Sequence, residues 1–565
     1  MHFLKLLLSV SIAASIGHAA TVRVLSLSSL QAAINAANAG DEIVVADGAY
    51  TAFSAINIAR QGAASRPILI RAETIGGVEI RGPNGFSVNS PAAYIVIQGF
   101  RFTHSRNISL PVGTQHCRLT RNIFELQSDT GAWITISGDD HEFDHNIVQN
   151  KNTPGQMVTV RGPGSEGMAQ RTWIHRNLFQ NFTNDEGGNG FETLQVGLSG
   201  RSLTDAFTLV EENLFVRTDG ENEMISNKSC SNTYRFNTFR DTIGELTLRH
   251  GDRCLIYGNY FVRSHGVRFF GKNHRIFSNQ FHLCNPALQI GNGNTTIPPG
   301  ELNQFDRPDG VEFAFNTMVE NVVNAVMGAR TGGNGAIRLV FANNIIRGGG
   351  RAVDLRGPIS ESRWEGNIVW DATGVGSIPE GGYRWADPRL MPDSNGVYHL
   401  MPFSPAIDAA VGDYGYVTLD LDGQPRDARK DIGADEFSDA PGTNRMLRIE
   451  DVGPNASDLR PNFSITATPG ARYVAAGEQT TFTVAVVSSP GFNRAVNLRV
   501  AGLPDGATAS FEPASVNVSG NSVLTIDTPG WMRARAFDLT ISGTTEDGGE
   551  YAAPVLFVVS ERESK

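Results

Sequence analysis

Cysteine is scarce: four residues, Cys117, Cys230, Cys254 and Cys284, serve a chain of 565. So few cannot hold a chain of this length as a disulfide scaffold, and no two stand at the CxxC spacing of a zinc or redox site. They read as small apolar residues of a core. Basic residues are also outnumbered. The 47 Lys and Arg against 58 Asp and Glu give a formal net charge of −11. That balance excludes a general nucleic-acid binder, yet a local basic groove on an acidic protein can still take an anionic substrate. Beyond the N-terminus no run is long and apolar enough to span a bilayer. Charged residues are a modest 19% and glycine is plentiful at 61, a composition that suits a turn-rich, all-β chain.

At the N-terminus, Lys5 precedes an uncharged, mostly apolar run, Leu6 to Ile16, and Gly17-His18-Ala19 offers a small-x-small cleavage site. Residues 1–19 therefore read as a signal peptide, which predicts a secreted or periplasmic protein.

The strongest signal of organisation is a recurring Asn followed by two mostly apolar residues. It begins with Asn122-Ile123-Phe124, Asn146-Ile147-Val148, Asn177-Leu178-Phe179 and Asn213-Leu214-Phe215. It continues through Asn237, Asn259, Asn279, Asn316 and Asn344 to Asn367-Ile368-Val369. Successive spacings are 24, 31, 36, 24, 22, 20, 37, 28 and 23 residues. The short values give the period of one solenoid turn, and the long ones read as a turn plus an inserted loop. Leucine-rich repeats share the period, but their leucine spacing is absent. The pattern predicts a right-handed parallel β-helix over residues 20–440. Each Asn would sit at one corner of the coil, bonded to the coils above and below, with the apolar residues after it pointing inward. An N-terminal helix, capped by Ser29 and carrying Leu30, Ala33, Ile34 and Ala37 on one face, would close the tube. Residues 441–460 read as a linker. Beyond it, the alternating runs Phe482/Val484/Val486, Val496/Leu498/Val500, Leu524/Ile526 and Phe537/Leu539/Ile541 predict an immunoglobulin-like β-sandwich over 461–565.

The densest polar stretch runs from Asn189 to His274. With the Asn repeat as a ruler, Lys228 lies nine residues before Asn237, Arg249 ten before Asn259 and Arg268 eleven before Asn279. The three cations are thus expected as a ladder on one face of three successive coils, where like charges need acids or a bound anion to offset them. Glu221 and Glu223 are two apart and share a strand face. With a nearby amide oxygen they suit a hard cation, without the spacing of an EF-hand.

The run Asn222-Glu223-Met224-Ile225-Ser226-Asn227-Lys228-Ser229, the run Leu246-Thr247-Leu248-Arg249-His250-Gly251 and the later Val267-Arg268 resemble polysaccharide lyase family six, which contains alginate lyases and chondroitinase B. Leu30 to Tyr50 at one end, and Asp420-Leu421-Asp422-Gly423-Gln424-Pro425-Arg426 with Asp431 to Glu436 at the other, extend the resemblance over about residues 22–437. It implies a Ca²⁺ held by Asn189, Glu221 and Glu223, with Glu192 as a rival to Asn189. It also implies Lys228 as base, Arg249 as acid, and Arg268 and His250 as substrate contacts. The implied reaction is β-elimination on an acidic polysaccharide, alginate above all. A cation on the substrate carboxylate would make the C5 proton removable, an amine would take it, and positive charge would meet the leaving oxygen. Two other readings compete: a β-helix glycoside hydrolase using Asp139-Asp140 or Asp185-Glu186, and a non-catalytic carbohydrate-binding adhesin.

Overall fold

The residue before each repeat Asn occupies the left-handed region of the backbone: φ is 56° at Arg121, 55° at Phe236 and 50° at Ser278. That conformation is costly outside glycine, and the Asn ladder offsets it. In this computed structural model, residues 19–163, 167–184, 187–294, 304–438, 442, 444–457, 463–488, 494–517, 519–545 and 550–560 are described. Residues 1–18 of the expected signal peptide, and Asp185 and Glu186, lie outside them. Every ladder Asn side chain is buried. Asn213 is representative: its backbone N–H and its side-chain amide both donate to Asn237 Oδ1 at 3.0 Å, and the amide also donates to Ile174 O and Glu211 O at 2.9 Å. A tight corner that would strand buried backbone groups is thereby satisfied coil after coil.

Between corners the chain forms three parallel sheets, two of fourteen strands and one of ten among the described residues. The first sheet precedes each Asn, the second follows it, and the ten-stranded third sheet closes the coil. This is a parallel β-helix. Its core is a stack of like residues: ring centroids are 4.9 Å apart for Phe215 and Phe239, 4.7 Å for Phe239 and Phe261, and 4.8 Å for Phe261 and Phe281. Those distances match the spacing of neighbouring strands, about 4.8 Å.

Only the second residue after each Asn enters this core. Strand alternation turns the first one outward, where Leu178, Leu214, Tyr260, Ile345 and Ile368 would meet water. Instead they are buried under later chain. Leu447 and Val452 cover Leu178 and Leu214, Met446 and Leu421 cover Tyr260, and Leu390, Leu400 and Ile432 cover Ile345 and Ile368. Residues 444–457 lie in the stretch read as a linker. They are packed along the second sheet, with Leu447 N–H donating to Thr238 Oγ1 at 2.8 Å and Gly453 N–H to Arg176 O at 2.9 Å.

Helix α1 spans Leu27–Ala36 and buries Leu30 and Ile34 in the core of the coils. Its N-cap is Ser26 rather than Ser29. Ser29 is the third helical residue and closes a reciprocal capping box with Ser26, because a second serine three residues earlier can meet the same free N–H groups. The four cysteines are buried and unbridged. Residues after 463 form a four-stranded and a five-stranded sheet, antiparallel apart from the pairing of Ala471–Ala475 with Glu550–Ser560. They pack around their own core, which includes Phe482, Val496, Leu524, Leu539 and Phe557.

Candidate active site

Four neighbouring strands of the third sheet carry the polar stretch: β1 (Leu194–Gly197), β2 (Ile225–Lys228), β3 (Leu246–His250) and β4 (Val267–Phe269). Ser226 pairs with Thr247 and Thr247 with Arg268, so these three side chains share a rung on the outer face. Lys228 stands two residues further along β2, and the register shifts between Asn227 and Lys228 so that Lys228 pairs with His250. Arg249 is the extra residue of this bulge. The three expected cations therefore share a face but not a rung. Lys228 stands beside the bulge and Arg249 within it, and Arg268 lies one step back. Bulges re-aim side chains in this way, and residue counting from a distant corner does not register them.

The turn before β1 and the turn before β2 bring three carboxylates together. Oxygens of Glu192, Glu221 and Glu223 lie within 4.8 Å of one another. Glu192 accepts from Gln156 Nε2 at 2.7 Å and from Gln195 Nε2 at 2.6 Å, and its Oε1 stands 3.3 Å from Lys228 Nζ. Glu223 accepts from Ser226 Oγ at 2.6 Å and faces Arg249 Nε at 3.8 Å and Arg268 Nη1 at 3.9 Å. Glu221 has only the backbone N–H groups of Gly190 and Phe191, at 2.6 and 3.0 Å, and no ion pair among the described residues. Burial, and then the charge of Glu192, push its carboxyl up to about 7. A set of hard oxygens that includes a carboxylate with no cation beside it among the described residues fits a divalent cation such as Ca²⁺.

Asn189, expected as the third ligand, is exposed on the adjoining loop. It directly precedes Gly190, whose N–H is bonded to Glu221, and its rival Glu192 is the carboxylate gathered with the two glutamates. His250 pairs with Lys228 and is 1% exposed, and neither ring nitrogen has a hydrogen-bond partner among the described residues. Burial, then Arg249 and Lys228, push it down to about 3, so it is a neutral ring beneath the two cations. Asp139 and Asp140 lie at a different corner, where Asp140 accepts from Arg171 at 2.6 and 2.8 Å. They do not join this cluster.

Other residues at the site escaped the sequence reading. Glu245, just before β3, faces Arg268 Nη1 at 3.3 Å. Arg161, just after the strand Val158–Val160 that pairs with β1, donates to Gly197 O at 2.9 Å. The one usable signal was register, since each sits within a residue or two of a strand aligned with β2.

Against this geometry, the family model described as chondroitinase B matches residues 24–334, more than half of the chain. The chain belongs to that family, polysaccharide lyase family six. Solved structures of the family share its fold. One is the PL6 alginate lyase AlyGC, with 23% identity and a TM-score of 0.64 over 81% of this chain and 62% of that one. Another is a mannuronic-acid-specific family 6 lyase from human gut microbiota, with 23% identity and a TM-score of 0.56 over 66% of this chain and 92% of that one. A third is the PL6 lyase of Pseudopedobacter saltans, with 18% identity and a TM-score of 0.55 over 77% of this chain and 99% of that one. The chain thus spans about 62% of the length of AlyGC. No curated protein matches the chain. Among the described residues, no helix is long and apolar enough to cross a membrane.

Proposed function

We infer that this family-six protein is a Ca²⁺-dependent lyase that cleaves an acidic uronate polymer by β-elimination, with alginate as substrate. The observation that carries the reading is the meeting of Lys228, Arg249 and the Glu192–Glu221–Glu223 cluster on one groove face of adjacent coils. Glu221, Glu223 and Glu192 would hold the cation, with Asn189 close enough in the chain to contribute. When bound, the cation supplies positive charge to the substrate carboxylate and so favours loss of the C5 proton. Lys228, 14% exposed at its side chain, takes that proton from the groove side. Arg249 places a guanidinium where charge develops on the C4 oxygen as the C4–O bond breaks, an electrostatic role suited to a group that stays protonated, and water supplies the proton that the leaving oxygen takes. Arg268 binds the polymer beside it. Sugar is released with an unsaturated, ultraviolet-absorbing end.

The same reading takes the coils as right-handed, α1 as the cap of the tube, the terminal sandwich as immunoglobulin-like, and the N-terminal run as an export signal to the periplasm or the exterior. A sulfated glycosaminoglycan is the alternative substrate, favoured by the chondroitinase B match. The test is absorbance release from poly-mannuronate, poly-guluronate and dermatan sulfate, with and without EDTA. Absorbance from a uronate polymer that EDTA abolishes and Ca²⁺ restores is the expected result. Cleavage without unsaturated ends overturns elimination, and undiminished activity after exhaustive chelation overturns the cation.

A further inference from the structure

Phe305 comes from the long insertion between Asn279 and Asn316 and lies over the groove. Its ring meets Phe270 at 4.9 Å between centroids. The guanidinium carbon of Arg249 stands 3.8 Å from the ring centroid, that of Arg330 4.0 Å, and that of Arg268 5.8 Å. Arg249 also donates from Nη1 to Gln304 O at 3.3 Å. One phenyl ring therefore organises three guanidinium groups. Such gathering is favourable for each cation and ring but unfavourable among the cations. Burial, then Arg268 and Arg330, work against the charge on Arg249, with Glu223 opposing them.

The four groove cations are not compensated alike. Lys228 has Glu192 at 3.3 Å, Arg249 has Glu223 at 3.8 Å, and Arg268 has Glu245 at 3.3 Å. Arg330 has no carboxylate within ion-pair distance among the described residues; its contact is the Phe305 ring. It is half-buried and follows the strand Ala325–Met327, two strands beyond β4 along the same sheet. A guanidinium held over an aromatic face, with no acid beside it among the described residues, is a preformed fork for a planar anion. A polymer with a carboxylate on every ring, threaded past Lys228 and Arg268, presents such an anion there.

We propose that Arg330, held on Phe305, is a carboxylate-binding subsite for a uronate residue beyond the cleavage point, and that Phe305 positions Arg249 through the same ring. This rests on the polyuronate-lyase reading. It is tested by initial-rate kinetics on poly-mannuronate with Arg330→Ala, Arg330→Lys and Phe305→Leu, and by polymer affinity in a Lys228→Ala background. Arg330→Ala is expected to raise KM about tenfold, as loss of one charged hydrogen-bonded contact does, and to flatten the dependence of KM on salt. Arg330→Lys recovers part of the affinity. Phe305→Leu lowers kcat as well, because Arg249 loses its platform. An Arg330→Ala enzyme with wild-type KM and wild-type salt dependence overturns the subsite. If the wild type binds polyuronate without releasing unsaturated ends, the lyase reading falls, and weaker binding by Arg330→Ala still supports the subsite. If the wild type neither binds nor cleaves, both fall.

Discussion

Lys228 and Asp144 are both partly or wholly buried and both ion-paired, yet opposite consequences follow from their removal. The Lys228 amine lies 3.3 Å from Glu192 at the mouth of the groove, so truncation removes a reactive group and little packing. Lys228→Ala is expected to lower kcat about a thousandfold, within the range for loss of a general base, with a smaller fall in melting temperature from the buried Glu192 it leaves unpaired. Steady-state kinetics beside a thermal melt check both halves. Asp144 is on the first sheet, away from the groove. It accepts both Arg118 nitrogens at 2.7 Å, Thr120 Oγ1 at 2.8 Å and His145 Nδ1 at 2.6 Å. Against the cost of burial, Arg118 and His145 hold its carboxyl well below the usual range. Asp144→Asn leaves that network without its charge and should cost about 3 kcal/mol, the scale of breaking a buried pair. Denaturant unfolding measures the loss, and kcat per folded molecule should stay near wild type. A catalytic collapse in this variant would mean that the two sheets are coupled.

At the scale of the element, the Asn corner decides stability. Asn237→Ala removes the acceptor shared by the backbone N–H and the side-chain amide of Asn213 and the donor to Val210 O at 2.9 Å. Each buried group left unpaired costs about 1–3 kcal/mol, so a loss of about 3 kcal/mol or more is expected, read as a drop in the unfolding midpoint at constant slope. The corner was legible in sequence because Asn is the residue that can bond along a stack of turns, and its recurrence set both the period and the polar face. Three features beside it were not legible. The left-handed residue before each Asn is filled by Arg, Phe, Ser and others, so composition gives no sign of it. The bulge that puts Arg249 out of step with Arg268 depends on pairing with β2 rather than on spacing within β3. Phe305 comes from an insertion and Arg330 from the stretch that follows a strand of the third sheet, so the Asn ruler places neither.

For the whole molecule, the burial of the outward apolar residues matters most. Alternation could be read from Asn-Leu-Phe, but the cover over its first apolar residue comes from residues 390–457, more than two hundred positions after Leu178. Distance in sequence hides such a partner. Arg426 pins this late segment as a fully buried hub, donating to Gly433 O at 2.7 Å, Ala434 O at 2.8 Å and Glu436 Oε2 at 3.0 Å. Beside it His399 faces Asp422 Oδ2 at 3.3 Å and Asp435 Oδ1 at 3.2 Å, and Asp422 in turn accepts from Tyr260 of the second sheet at 2.9 Å. Burial alone would lower the pKa of His399, but Asp422, Asp435 and more distantly Asp393 overcome it and push the imidazole up to about 10. The pKa is raised on folding, so its contribution to stability is complete below the unfolded value, about 6.5, and is lost as pH rises through the folded one. Asp422 is pushed up to about 6, so its own titration falls on the acid side, while burial pushes the Lys151 amine down to about 8, so that above this pH Lys151 opposes His399. The melting temperature of the coil domain should therefore fall from pH 7 to about pH 8 and less steeply above it, and His399→Gln should flatten the first fall while lowering stability at pH 7. The sandwich has a separate core and none of these groups, so its calorimetric transition should not follow the same slope. A coil transition equally steep in His399→Gln would assign the alkaline loss to other groups.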